Sequence, residues 1–144
     1  MPRIQYIDSY HTYKLNNKRK ISSWLHAVAV SENKSLSNIQ YTFCNDEEIL
    51  RLNKQYLHHD YYTDIITFDY SQEDDLQGEV FISIDTVATN AAKLKVSFEE
   101  ELHRVMVHGL LHLVGYNDKT KKQQSVMRAK EDFYLNELRK QLNS

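Results

Sequence analysis

The chain has 144 residues, a formal net charge of -2 and 41% apolar residues. That balance suits one compact domain over residues 1–144, with enough chain for a proper core, and it excludes a disordered or fibrous protein. It does not announce a nucleic-acid binder either, although a local basic patch can still hold phosphates.

In chain order, Arg3 to Asp8 alternates and reads as a short strand. Lys14 to Lys20 is a polar, basic loop entering a helix, in which Ile21, Trp24, Leu25 and Val28 recur at helical spacing. Asn33 to Asn38 reads as a polar break before a second strand. In that strand Ile39, Tyr41 and Phe43 share one face, with Gln40, Thr42 and Cys44 on the other. Asn45 with Glu48 three residues later is a helix N-cap signature, and Ile49, Leu52, Asn53 and Tyr56 continue one stripe. Leu57 to Tyr62 is a loop, Thr63 to Tyr70 a third strand, and Ser71 to Gln77 an acidic turn.

Gly78 opens a fourth strand, and Asp85 caps a helix that runs through Leu94. Ser97 and Glu100 form a capping box for the next helix. That helix is apolar almost all round, through Phe98, Leu102, Val105, Met106, Leu110, Leu113 and Val114, so it is expected to be central and buried. From Thr120 onward Val126, Met127, Phe133, Leu135 and Leu138 mark a final amphipathic helix. Strands interleaved with helices predict an α+β fold: a small mixed sheet of about four strands, packed by helices around the apolar one. No apolar run approaches the roughly 20 residues of a membrane span, and the N-terminus lacks the apolar core of a signal peptide. No membrane partner and a reducing cytoplasm are expected.

The chemistry concentrates between Val107 and Lys119. His108 and His112 are one helical turn apart and project from one face. Gly115 lets the helix end in positive φ, so the returning chain can bring Asp118 over the two imidazoles. Two nitrogens and one oxygen suit a divalent metal that keeps an open position. A single cysteine excludes a cysteine-rich zinc site and an intramolecular disulfide. The competing reading makes the histidines ordinary polar residues and Asp118 a turn carboxylate shared with Asn117. Burial on an apolar helix favours the metal, because buried imidazoles need partners. Gly109, between the histidine rows, is read as keeping side chains out of the site. The outline also resembles the H-E-x-x-H-x-x-G-x-x-H pattern of metzincin proteases. The glutamate that serves those enzymes as base is replaced here by Gly109.

The stretch His108-Gly109-Leu110-Leu111-His112-Leu113-Val114-Gly115-Tyr116 resembles the signature of the YbeY family, bacterial endoribonucleases of rRNA maturation. Leu52-Asn53, Tyr56, Asp60 and Thr63 to Phe68 resemble a second family segment. Gly78-Glu79-Val80 with Ile82 resembles a third, and Met127 and Glu131 match its last helix. The resemblance implies a small α+β fold and a zinc-type site of His108, His112 and Asp118. It further implies metal-dependent hydrolysis of single-stranded RNA, with rRNA and the small ribosomal subunit as partners and no DNA. Asp118 stands where the family has a third histidine. The oxygen leaves zinc plausible and brings iron, nickel or manganese closer. Leu57 replaces a family arginine, for which Arg51, Lys54, His58 and His59 are candidate substitutes.

No general base is assigned, and a metal-activated water is assumed as nucleophile. The candidate substrate contacts are Asp64, His59, Lys119 and Lys122. Lys119, Lys121, Lys122, Arg128 and Lys130 form a basic run beside the motif, and Lys14, Lys18, Arg19 and Lys20 form a second. His103 sits about 140° around the helix from His108, off the metal face. His11 and His26 read as surface or packing residues, and Cys44 as a small strand residue. Two rival functions remain open: a non-catalytic ribosome assembly factor with a structural metal, and a metallopeptidase.

Overall fold

The structure, a computed structural model, describes residues 3–9, 13–56 and 63–143. Its elements are β1 (Arg3–Asp8), α1 (Lys18–Ser31), β2 (Ser35–Cys44), α2 (Asp46–Tyr56), β3 (Ile65–Asp69), β4 (Asp75–Ser83), α3 (Ile84–Leu94), α4 (Phe98–Val114) and α5 (Lys121–Leu142). The strands form one mixed sheet of order β1-β2-β4-β3. β1 and β4 run parallel to β2, while β3 runs antiparallel to β4. This is the α+β architecture that the alternation of patterns predicts. No helix among the described residues is long and apolar enough to cross a membrane.

The period of two along the strands decides what packs where. Ile39, Tyr41 and Phe43 of β2 join Val80 and Ile82 of β4, and together they meet Leu102, Met106 and Leu110 of α4. Trp24 and Leu25 of α1 and Leu135 and Leu138 of α5 close the same core. On the opposite face Cys44, Ile49, Leu52 and Ile66 form a smaller cluster under α2. Helix α4 is central, as its composition requires; each fully buried leucine there contributes about 1.5–3 kcal/mol relative to exposure. Two buried polar groups are partnered across the core. Tyr41 Oη donates to the Met106 carbonyl at 2.9 Å, and Trp24 Nε1 to the Tyr134 carbonyl at 2.7 Å.

Several local expectations are corrected. The polar stretch Ser35 to Asn38 is not a break but the first half of β2, because Ser35 and Leu36 pair with Asp75 and Leu76 of β4. Ser35 Oγ and Ser37 Oγ both donate to Asp75, at 2.9 and 2.5 Å. The acidic turn therefore shortens, since β4 already begins at Asp75. Ser83, not Asp85, caps α3, accepting from the Thr86 N–H at 3.3 Å. Only half of the Ser97 box forms: Ser97 Oγ accepts from the Glu100 N–H, while the Glu100 carboxylate pairs with Arg139. The complete capping box belongs to α5, between Thr120 and Gln123. On α5, Met127, Leu135 and Leu138 are buried as expected, but Val126 and Phe133 face solvent and Tyr134 takes the core position.

Candidate metal centre

Helix α4 turns two faces to two tasks. Its apolar residues enter the core, while Glu101, Arg104, His108 and His112 fall on one stripe at helical spacing. The three glutamates of its first turn suit the positive end of the helix dipole. At the other end Gly115 adopts φ 126°, and its N–H bonds back to the carbonyls of Leu111 and His112. The Tyr116 N–H also returns to Leu111 O, at 3.0 Å. This closed turn aims the next residues back over the helix.

Three donor atoms then converge. His108 Nε2 and His112 Nε2 are 2.9 Å apart. Asp118 Oδ2 lies 3.2 Å from the first and 3.5 Å from the second. A tetrahedral ion bonded at about 2.0–2.1 Å would hold its ligands about 3.3–3.4 Å apart, which the two edges to Asp118 approach, while the histidine pair would have to open slightly. The tautomers fit as well. His108 Nδ1 sits 2.6 Å from Glu131 Oε2 and donates to that carboxylate. The His112 ring is hydrogen-bonded to the Tyr116 backbone. Nε2 of each ring is left facing the Asp118 carboxylate, and neutral rings in this tautomer would offer their lone pairs to a shared cation. His108, His112 and Asp118 can hold a metal ion, and they are the grouping of this kind among the described residues.

The surroundings fix this geometry. Glu131 is 4% exposed. Its second oxygen accepts from Arg104 Nη1 at 2.9 Å, and Arg104 Nη2 reaches Asp132 at 2.7 Å. Burial works against the charge of Glu131, but His108 and Arg104 outweigh it and hold the carboxyl below its ordinary range. Burial also opposes protonation of His108, yet Glu131, Asp118 and Asp64 raise its pKa overall. For His112, burial and the neighbouring His108 lower it. The turn is held from α1 as well. Tyr116 Oη donates to Glu32 Oε1 at 2.6 Å, Lys130 Nζ to Glu32 Oε2 at 3.1 Å, and Tyr134 Oη to the same oxygen.

The site opens into a cleft of about 960 Å³ between α4 and α5. Asp64 and Glu101 line one side of it with His108. Burial pushes both of their carboxyls up, and the charge of Asp64 adds to the shift of Glu101. Asp64 thus lines the cleft. Lys119 and Lys122 are exposed and do not line it, whereas Lys121 and Arg128 do. Lys130 turns away to Glu32. His59 lies outside the described residues, as do His11, Leu57, His58 and Asp60. His103 is buried edge-on to Trp24, off the metal face.

Gly109 has a different reason from the one its place in the motif suggests. A Cβ there would meet Ile65 Cδ1 at 2.9 Å and Val80 Cγ1 at 3.0 Å. The missing side chain makes room for the sheet, not for the metal. Residue reasoning also passed over Arg104, Glu101 and Glu32, and matched Glu131 only as a motif position. Arg104 and Glu101 carry a legible signal, four and seven residues before His108 on its own stripe. Glu32 carries none, being 84 residues from Tyr116.

A family profile described as Endoribonuclease YbeY matches residues 4–139. A protein of Bacteroides thetaiotaomicron named Endoribonuclease YbeY is 52% identical over 115 residues, covering 80% of this chain and 84% of its own. One of the same name from Cytophaga hutchinsonii is 50% identical over 124 residues, covering 85% and 87%. Among solved structures, the solution structure of TM1509 from Thermotoga maritima superposes with a TM-score of 0.68 at 26% identity, covering 99% of this chain and 92% of that one.

Proposed function

This chain belongs to the YbeY endoribonuclease family, and on that premise we propose that it is a metal-dependent endoribonuclease of single-stranded RNA, acting as one unit over residues 1–144. The observation that carries the metal dependence is the convergence of His108 Nε2, His112 Nε2 and an Asp118 carboxylate oxygen. The proposed ion is zinc, with another divalent transition metal compatible with the carboxylate. When bound, it supplies an activated water and polarises a phosphoryl oxygen.

The chain's own residues supply the rest. Glu131 holds His108 by Nδ1 and so turns Nε2 to the centre, and Arg104 keeps Glu131 in place. Tyr116, tied to Glu32, fixes the turn that carries Asp118. Asp64 stands in the cleft beside His108, its carboxyl pushed up by burial, in a position to take part in proton transfer. The family resemblance of the histidine signature supports rRNA of the small ribosomal subunit as substrate and the cytoplasm as the place of action.

The test is cleavage of a labelled single-stranded RNA by wild type, His112→Ala and Asp118→Ala, with elemental analysis of each protein. Loss of metal and of cleavage together is expected. Cleavage that survives both substitutions refutes the assignment. The tie from the metal turn through Tyr116 to α1 would equally serve an ion that only staples the turn. That second reading, an assembly factor, requires ribosome binding without cleavage. The peptidase reading is disfavoured because position 109 points into the sheet.

A further inference from the structure

The two walls of the cleft differ in what they offer a polyanion. On the α4 side stand Asp64 and Glu101, and Glu131 and Asp132, farther along α5, are turned to Arg104 of that wall. The cation of that wall, Arg104, is consumed: its two terminal nitrogens are committed to Glu131 and Asp132. A phosphate placed there meets carboxylates. On the α5 side Lys121, Gln124, Ser125 and Arg128 line the same cleft at positions i, i+3, i+4 and i+7. That spacing is one helical face. All four residues are exposed, and all four are hydrogen-bond donors. The nearest carboxylate to Arg128 is Glu131, at 3.9 Å, with the arginine side chain 58% exposed.

We propose that this face of α5 is the phosphate rail of the cleft, holding the backbone of a single-stranded polynucleotide so that one phosphodiester lies at the His108–His112–Asp118 centre. The inference rests on the nuclease reading and adds where the substrate lies. Lys121 opens α5 directly after the Thr120 cap, so the positive end of the helix reinforces it. Gln124 sets the register of the rail against the centre, since its Nε2 donates to the Asp118 carbonyl at 3.0 Å. From Lys121 to Arg128 the helix rises about 10 Å. A stacked strand, with one phosphate per about 3.4 Å, covers that length with two or three phosphates. Contacts of this kind read charge and spacing, so the rail binds without sequence preference. Lys119 and Lys122, adjacent in sequence, point elsewhere.

The experiment compares two charge-matched double variants, Lys121→Ala/Arg128→Ala and Lys119→Ala/Lys122→Ala. Binding of a fluorescent 2′-O-methyl single-stranded 20-mer is followed by anisotropy across a salt series, and cleavage of the unmodified RNA is assayed alongside. The rail pair should weaken binding about tenfold and flatten the salt slope by about 1.4, two contacts at roughly 0.7 each. Arg128→Lys, which keeps the charge, should retain the wild-type slope. The other pair should change both quantities less. A rail pair that binds and cleaves like wild type overturns the rail while leaving the nuclease reading intact. So does an equal or larger loss in the Lys119/Lys122 pair. A wild type with no affinity for single-stranded RNA overturns both.

Discussion

Restoring the protease glutamate at position 109 should destroy the fold rather than create a peptidase. The magnitude follows from the packing of α4 on the sheet. A Cβ at Gly109 lies 2.9 Å from Ile65 Cδ1, 3.0 Å from Val80 Cγ1 and 3.5 Å from Thr67 Cγ2. For Gly109→Ala the Ile65 methyl is the end of a flexible chain and can move aside, while Val80, branched at Cβ, yields less. Overpacking of this kind costs about 1–3 kcal/mol, and alanine returns about 1 kcal/mol of helix propensity. The net is a loss of about 0–2 kcal/mol, or a Tm lower by a few degrees at about 2–4 °C per kcal/mol. Gly109→Glu adds a carboxylate beside Ile65, Val80 and Thr67, none of which can pair its charge. An unpaired buried charge costs several kcal/mol, against a total stability of about 5–15 kcal/mol for a domain. Urea denaturation followed by far-UV circular dichroism, with a peptide-hydrolysis assay alongside, measures the series. A Gly109→Glu protein with the wild-type midpoint would refute the packing argument, and one that also hydrolyses peptide would revive the peptidase reading.

Glu131→Gln keeps shape but removes the charge that holds His108, so metal affinity measured against a chromophoric chelator should fall about 10- to 100-fold, the usual effect of losing a ligand's hydrogen-bond partner; unchanged affinity would show that Glu131 serves only Arg104. Cys44 is buried, and burial with the nearby Glu48 pushes its thiol up to about 12. At pH 8 the native protein should therefore resist alkylation until it unfolds, and fast labelling of folded protein would contradict its place under α2.

The local part of this protein was legible in its sequence. The period of two in β2, the helical spacing of His108 and His112 and the positive φ at Gly115 are set by residues within one turn of each other, where backbone geometry leaves few choices. The same holds for the expected reach of Asp118 back to the two rings. Beyond that range the sequence offered candidates and the packing chose among them. Ser35 to Asn38 looks like a break by composition, and became a strand because β4 lies beside it. Four lysines follow the histidine motif; which of them meets the cleft depends on how α5 rolls when Met127, Tyr134 and Leu135 enter the core. Gly109 reads as part of the metal motif, yet its missing side chain answers to Ile65 and Val80 across the helix–sheet contact. Glu131 and Glu32 reach the site from 23 and 84 residues away. Such partners have no periodic signature, because a hydrogen bond across the core is fixed by the docking of whole helices rather than by the spacing of neighbours.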